Sequence, residues 1–190
     1  AGVGAITAAL AGGIREAGAM QDEIRRLEAI VGATGNTTGR TTEQMVEFAQ
    51  ELEGRIAVAA EEILRAQGTL ATFGNVGGET FDRIIRDAAD LAAVFGGDIN
   101  SNAERLGMVL QNLADGNVEG LSRGFKFLGT ETLNAVRALA EAGDTAQAQE
   151  VLLAALERRV GGAGEAAAQG VTGAYFRLKD AVGEGPPGVV

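Results

Sequence analysis

The stretch GGETFDRIIRDAADLAAVFGGD, residues 77–98, decides the fold that we predict for this chain. Between its two glycine pairs, apolar residues recur every three or four positions, which is the period of a helix with one buried face. That face comprises Phe81, Ile84, Ile85, Ala88, Leu91, Ala92 and Phe95. We predict a short helix with turns at Gly77, Gly78, Gly96 and Gly97, because glycine permits the positive φ with which a chain reverses after a helix.

The other face of this helix is charged, and we predict that it is solvated. Its residues are Glu79, Asp82, Arg83, Arg86, Asp87 and Asp90. Glu79 with Arg83, and Asp82 with Arg86, have the i, i+4 spacing of acid-before-base pairs, each contributing about 0.2–0.5 kcal/mol. Without apolar surroundings to shift a carboxylate pKa, the face lacks the conditions for general acid–base chemistry.

Similar helical patterns fill the rest of the chain, and no stretch has a convincing strand pattern. Predicted helix starts lie at Thr41, Ser101, Thr130 and Asp144, the first two in capping boxes. The first of these helices is predicted to run to about Gln67, and a helix after Asp144 is predicted to stop at Gly161 and Gly162. We therefore predict an all-α fold, a multi-helix bundle of short antiparallel helices.

The N-terminal segment has a heptad pattern of about four repeats. Apart from Gly13, its seam consists of Val3, Ile6, Leu10, Ala17, Met20, Ile24, Leu27 and Val31. Two interpretations stand, an amphipathic helix on its own domain's core and a self-associating coiled coil. We predict three regions, namely this helix at 1–31, a globular helical domain at 32–162, and a weakly helical segment at 163–190 whose internal glycines disfavour a helix.

Composition narrows the classes of function. The formal net charge is −10, which disfavours binding to nucleic acid through a basic surface. The chain contains no cysteine and no histidine, so a zinc site is not expected and a Ser-His or Cys-His nucleophile cannot be built. We predict no catalytic residue, no metal site and no cofactor. The glycine-rich loop at 32–42 lacks the Gly-Lys-Ser/Thr ending of a phosphate-binding loop.

The first 14 residues are uncharged but too short to span a bilayer, and no positively charged region precedes them as in a secretory signal. Since the sequence begins at alanine, we expect a trimmed product or a piece of a longer protein.

Three stretches together resemble the tail tape-measure proteins of long-tailed bacteriophages and prophages. They are VGATGNTTGRTTEQMVEFAQEL at 31–52, LATFGNVGGETFDRIIRDAADLAAVFGGDINSNAERLGMVLQNLADG at 70–116, and GFKFLGTETLNAVRALAEAGDTAQAQEVLLAALERRVGGAGEAAA at 124–168. The resemblance lies in core residues, caps and turns rather than in a catalytic signature. It implies a structural protein of the virion tail that lies in the tube lumen or at the tip, sets tail length and aids DNA delivery through the host envelope.

The resemblance also implies partners. These are further copies of the chain on a common axis, the tail tube, the tip or hub proteins, and the host envelope during infection, with no sequence-specific nucleic acid. Glycine pairs interrupt the chain at 12–13, 77–78, 96–97 and 161–162, so we interpret it as a foldable domain rather than a measuring rod. The alternative function is a membrane-interacting or pore-forming helical module. A peptidoglycan hydrolase is a third hypothesis, which the ordinary surface placement expected for every glutamate disfavours.

Overall fold

The computed structural model describes residues 2–74 and 76–170, with side chains from residue 18 onward. Helices and turns account for these residues, and no strand occurs among them, which confirms the predicted all-α bundle. The helices are α1 Gly2–Ala33, α2 Thr42–Glu53, α3 Ala60–Leu70, α4 Gly78–Phe95, α5 Ile99–Ala114, α6 Leu121–Gly124, α7 Thr130–Glu141, α8 Thr145–Val160 and α9 Ala163–Gln169. A 3₁₀ turn at Lys126–Leu128 precedes α7.

The core is built on α3, α4 and α5, which pack against one another. Helix α1 packs on α2 and α3, whereas α8 packs on α4, α5 and α7. Small residues permit close approach, as at Gly107 on α5, where an added Cβ would lie 2.5 Å from the Phe73 ring. Such steric complementarity allows a core with few aromatic residues to reach the density of a protein interior.

One predicted helix is two helices. The expected helix from Thr41 to about Gln67 is wrong because α2 ends at Glu53 and α3 begins at Ala60. The Glu53 carboxylate accepts a hydrogen bond from the Ala60 backbone N–H at 2.9 Å and so satisfies a free donor at the start of α3. Ile56, in the connection, is buried, and its burial gives this turn an apolar anchor.

Two of the four predicted helix starts are confirmed. Thr41 forms the expected capping box, and the Asp144 carboxylate accepts a hydrogen bond from Gln147 N at 3.2 Å. The start at Ser101 is wrong, because α5 begins at Ile99 and Asp98 is its N-cap. Asp98 Oδ1 accepts a hydrogen bond from Ser101 N at 2.7 Å, so an aspartate three residues upstream takes the expected role of Ser101.

The start predicted at Thr130 is displaced by one residue. Thr130 is the first residue of α7, and Gly129 occupies the N-cap position without a side-chain hydrogen bond.

A larger difference concerns Phe95, which we expected in the core and which is 54% exposed. It lies at the last residue of α4, beyond the region covered by neighbouring helices, and its ring packs on Phe127 with centroids 4.6 Å apart.

Candidate functional site on helix α4

Three polar residues form a row along α4 and face α8 and α9. Arg83, Asp87 and Asp90 are spaced four and three residues apart, so they share one side of the helix. We call this row the polar latch. The predicted solvated face is wrong for two of its members, because Asp87 is 2% exposed and Asp90 is 9% exposed. Both are covered because α8 and α9 pack against α4 on the side that the sequence pattern assigned to solvent.

Arg83 ties α4 to α8. Its guanidinium contacts the Glu150 carboxylate at 2.6 and 3.1 Å and also pairs with Glu157, about two helical turns further along α8. Hydrogen bonds to Glu157 and Glu150 raise the pKa of Arg83, and the bond to Arg83 lowers the pKa of Glu150. The expected pair of Glu79 with Arg83 is therefore wrong, since Arg83 uses its donors on another helix.

The second expected pair on this face is replaced as well. Asp82 forms its ion pair with Arg40, which lies in the loop before α2. Arg86 instead lies over the ring of Phe48, 5.0 Å from its centroid, at the distance of a cation–π contact. Burial raises the pKa of Asp82, and the charge of Arg40 partly offsets that effect.

Asp87 is buried with an unsatisfied oxygen. No hydrogen-bond partner reaches its Oδ2 among the described residues. The pKa of Asp87 is raised to about 8, mainly by burial and also by the nearby carboxylates of Glu157 and Asp90, and the charges of Arg83 and Arg86 oppose this increase. At neutral pH the group is therefore mostly a neutral carboxylic acid, which costs less to bury than a carboxylate.

Asp90 caps a helix that is distant in sequence. Its Oδ2 accepts a hydrogen bond from Gly162 N at 3.0 Å, and its Oδ1 accepts one from Gly164 N at 2.7 Å, at the start of α9. Burial raises the pKa of Asp90, and these two backbone bonds oppose the increase. A Cβ on Gly164 would lie 3.2 Å from Asp90 Oδ1, so glycine allows this close approach.

The polar latch is an attachment, and its groups do not form a catalytic arrangement. Asp87 and Asp90 face packed helices rather than a cleft that could hold a substrate. Among the side chains described, those of residues 18–74 and 76–170, no acidic cluster could hold a metal ion. In the same ranges, no helix combines the length and apolarity needed to cross a bilayer.

The six glycines predicted as hinges or turns differ in what their positions require. Gly78, Gly96, Gly97 and Gly162 have positive φ angles of 59°, 82°, 83° and 80°. The other two are restricted by space, since a Cβ at Gly77 would lie 2.9 Å from Thr37 O and one at Gly161 would lie 2.4 Å from Glu157 O. Each pair lies at a helix end, and the role of these glycines as hinges or turns stays a prediction.

The predicted seam on α1 is described only in its second half. Leu27 is 1% exposed, and Met20, Ile24 and Val31 are partly buried against the same core. Val3, Ile6, Leu10 and Ala17 lie on α1, but their side chains are outside the described part of the chain. Self-association through the seam stays a prediction, as does the division at residues 31 and 162.

The polar latch was not predicted from the sequence, although the sequence contains one signal of it. Arg83, Asp87 and Asp90 repeat at the helical spacing that marks a buried stripe, but the residues are charged rather than apolar. Two facing glutamates, Glu150 and Glu157, have a similar spacing of seven on α8. Matching charged rows on two helices would have indicated a polar contact between them.

Comparison with known proteins gave one match. A family model described as "Prophage tail length tape measure protein" matches residues 1–137. The matched range includes α1, which precedes the stretches in which we recognised the resemblance, and it ends within α7. No curated protein and no solved structure matches the chain.

Proposed function

Because the chain belongs to the prophage tail length tape measure protein family, we propose that it is a foldable helical domain in the lumen or at the tip of a phage tail tube. The family is one of structural phage proteins and places the chain in the virion tail. We propose further that the domain takes part in setting tail length and in delivering DNA through the host envelope, and that it has no enzymatic role. The match over residues 1–137 carries the proposal.

The helical architecture supports a role in measuring length. An α-helix rises about 1.5 Å per residue, so the 32 residues of α1 extend for roughly 48 Å. A helical chain therefore converts residue number into length along a tube. The packed helices α2 to α9 contribute less length per residue when folded than when unpacked, because they fold back on one another.

Passage through a narrow tube requires the packed helices to separate, and the glycine turns and the polar latch support that step. Gly96 and Gly97 follow the end of α4 and Gly162 precedes the start of α9, so the chain can extend at both places without bending a helix. The contact of α4 with α8 and α9 includes a buried acid with an unsatisfied oxygen, which makes this contact less stable than an apolar one.

The proposed partners follow from the same role. They are the tail tube, the tip or hub proteins, the host envelope during infection, and further copies of the chain joined through the α1 seam on a common axis. The proposed contacts do not include a specific nucleic-acid sequence.

Localising the chain in purified tails tests this proposal. We expect a short epitope tag inserted in the exposed turn at Gly116 to be detected in intact virions only after the tail is opened, or at the tail tip. Cryo-electron microscopy should show the corresponding density in the lumen or tip. Tails that contain the tube but lack this polypeptide at both places would overturn the proposal.

A further inference from the structure

Two exposed surfaces away from the polar latch carry charges of opposite sign. The first, which we call the cationic knob, consists of Phe95, Phe127, Lys126, Arg158 and Arg159. Phe95 projects 54% exposed from the end of α4 and is supported by the ring of Phe127. Arg158 and Arg159 line the same depression as Phe127, and Lys126 is its neighbour in the chain. The pair of aromatic rings thus has Arg158 and Arg159 beside Phe127, and Lys126, a third exposed cation, precedes Phe127 in the chain.

The second surface is a groove between α1 and α2, which we call the acidic groove. It has a volume of about 310 Å³, and its apolar floor includes Ile24 and Val46. Glu28, Glu43 and Glu47 line it and are exposed to solvent. The groove therefore has room for one aromatic side chain, with carboxylates around it.

The charged side chains of both surfaces form no ion pair with any described residue. Several arginines elsewhere on the packed helices do form one. Arg40, Arg55 and Arg83 all form ion pairs between different elements. Arg158 lies in the last turn of α8 and Glu43 in the first turn of α2, where each complements the helix dipole. The dipole does not account for Lys126, Glu28 or Glu47, which lie away from such positions.

We propose that the cationic knob of one copy of this chain binds in the acidic groove of a second copy. Phe95 would enter the apolar floor of the groove, and Lys126, Arg158 and Arg159 would lie opposite the glutamates. Electrostatic complementarity of this kind fixes orientation and favours encounter. A partner of the same net charge still fits, because the charges that meet are local and opposite.

This contact joins copies head to tail. The knob lies on the 3₁₀ turn and the ends of α4 and α8, and the groove lies on α1 and α2, with α3 and α5 between them in the order of packing. A single copy therefore cannot close the contact on itself. Two different patches on each copy make a heterologous interface, which builds rings or open chains rather than a closed dimer. It is independent of the α1 seam that we propose under the tail function.

Sedimentation equilibrium of the full chain tests the proposal. We expect the average mass to rise with protein concentration in about 0.05 M salt and to stop rising in about 0.5 M salt, because exposed charges are screened. The groove variant E28R/E47R and the knob variant K126E/R158E should each weaken this growth at least tenfold. F95S should weaken it too, because the knob loses its apolar contact.

Mixing variants distinguishes head-to-tail contact from a general charge effect. In an equimolar mixture, the intact knob of the groove variant meets the intact groove of the knob variant, and the reversed knob meets the reversed groove. The average mass of the mixture should therefore rise again with concentration, although neither variant grows alone. The chain with all four substitutions has reversed charges on both the knob and the groove. Its average mass should therefore rise with concentration again. E104R and R105E, at exposed positions on α5 outside both surfaces, should behave as the wild type.

Three results would overturn the proposal. In the first, the average mass of the wild type does not depend on protein concentration or salt. In the second, the mass of both charge variants rises as it does for the wild type. In the third, the mass of the fourfold variant does not rise with concentration. A constant oligomer that is insensitive to salt would point to the α1 seam alone and would leave the tail function intact. Circular dichroism of every variant shows whether it is folded, and the fourfold exchange and the mixture separate a lost contact from a lost fold.

Discussion

At Asp87 the fold keeps a carboxylic acid away from water, and no described residue offers its Oδ2 a hydrogen-bond partner. The groups that face it are Arg83, Arg86 and Asp90 on its own helix and Glu157 on α8. Its neutral form is favoured because burial and two carboxylates outweigh the opposing charges of the two arginines. The residue therefore links the packing of α4 on α8 to pH.

The first prediction concerns stability against pH. The pKa of Asp87 is raised from 3.8 to about 8. Its contribution to folding stability is therefore full below the ordinary pKa of 3.8 and is lost as pH rises through about 8. We expect the free energy of unfolding to fall between about pH 4 and 8 and the variant D87N to fall less steeply. At pH 8 that variant should be more stable than the wild type by on the order of 1–3 kcal/mol, because no charge is buried.

Urea unfolding followed by circular dichroism from pH 5 to pH 9 measures this effect. The exposed acid Glu104 provides the control, and E104Q should leave the pH profile unchanged. Parallel profiles for D87N and the wild type would contradict the assigned role of Asp87.

At the scale of elements, α9 is held by a residue 72 positions earlier in the chain. Asp90 accepts hydrogen bonds from two backbone donors at the start of α9, and Arg55 pairs with Glu165 in its first turn. A helix of 7 residues is too short to be stable alone. It is present because these contacts and its packing on α4 stabilise it.

The second prediction follows for α9. The variant D90A should free the N-terminus of α9 and cost about 0.5–2 kcal/mol, the usual effect of removing a helix cap. Hydrogen exchange should speed up at the amides of residues 162–169 and remain slow in the core of α5. The matched control D144A removes the cap of α8, so its faster exchange should be centred on Gln147. Equal changes in both regions for both variants would count against a separate cap for α9.

The apolar half of α4 was predictable from sequence, and its charged half was not. Helical spacing identifies one stripe, and the residues Phe81, Ile84 and Leu91 are buried as that stripe requires. The same spacing does not reveal that α8 and α9 cover a second side of α4. Burial of Asp87 and Asp90 depends on these later helices, so it is a tertiary property that local sequence does not specify.

Helix ends show the same division between local and tertiary causes. The capping box at Thr41 is complete within four residues, and the sequence predicted it correctly. The break between α2 and α3 depends on Ile56 reaching the core and on Glu53 bonding to Ala60 across the turn. Neither contact lies within one helical turn. The helical spacing of apolar residues therefore continues across the break, and the sequence does not show where α2 ends.

For the whole molecule, the glycine turns decide how far the packed helices can rearrange without loss of helix. At Gly96 and Gly97 the folded chain has φ angles of 82° and 83°, and an extended chain there would have negative φ. Glycine reaches both conformations, whereas alanine disfavours the first by roughly 1–2 kcal/mol. The turn between α4 and α5 can therefore exist in both the packed and the extended state.

The third prediction concerns infection. A phage with G96A and G97A should assemble tails but deliver DNA poorly, because the altered turn restricts the exchange between packed and extended states. The measurement is the ratio of plaque-forming units to virions counted by electron microscopy. G18A, within α1 and with no atom within 4 Å of the added Cβ, is the control and should leave that ratio unchanged. Equal losses of virions and plaques would indicate a folding defect instead of a hinge.

The cap on α9 has a mechanical consequence. Tension applied to the chain after residue 170 enters the fold through α9, where the nearest polar attachments are the bond between Arg55 and Glu165 and the two bonds to Asp90. A load at one end of a short helix breaks such contacts one after another instead of all together. Helix α9 would thus detach at low force, and the bidentate contact of Arg83 with Glu150 would bear the load next, so the domain would yield in steps from its C-terminal side.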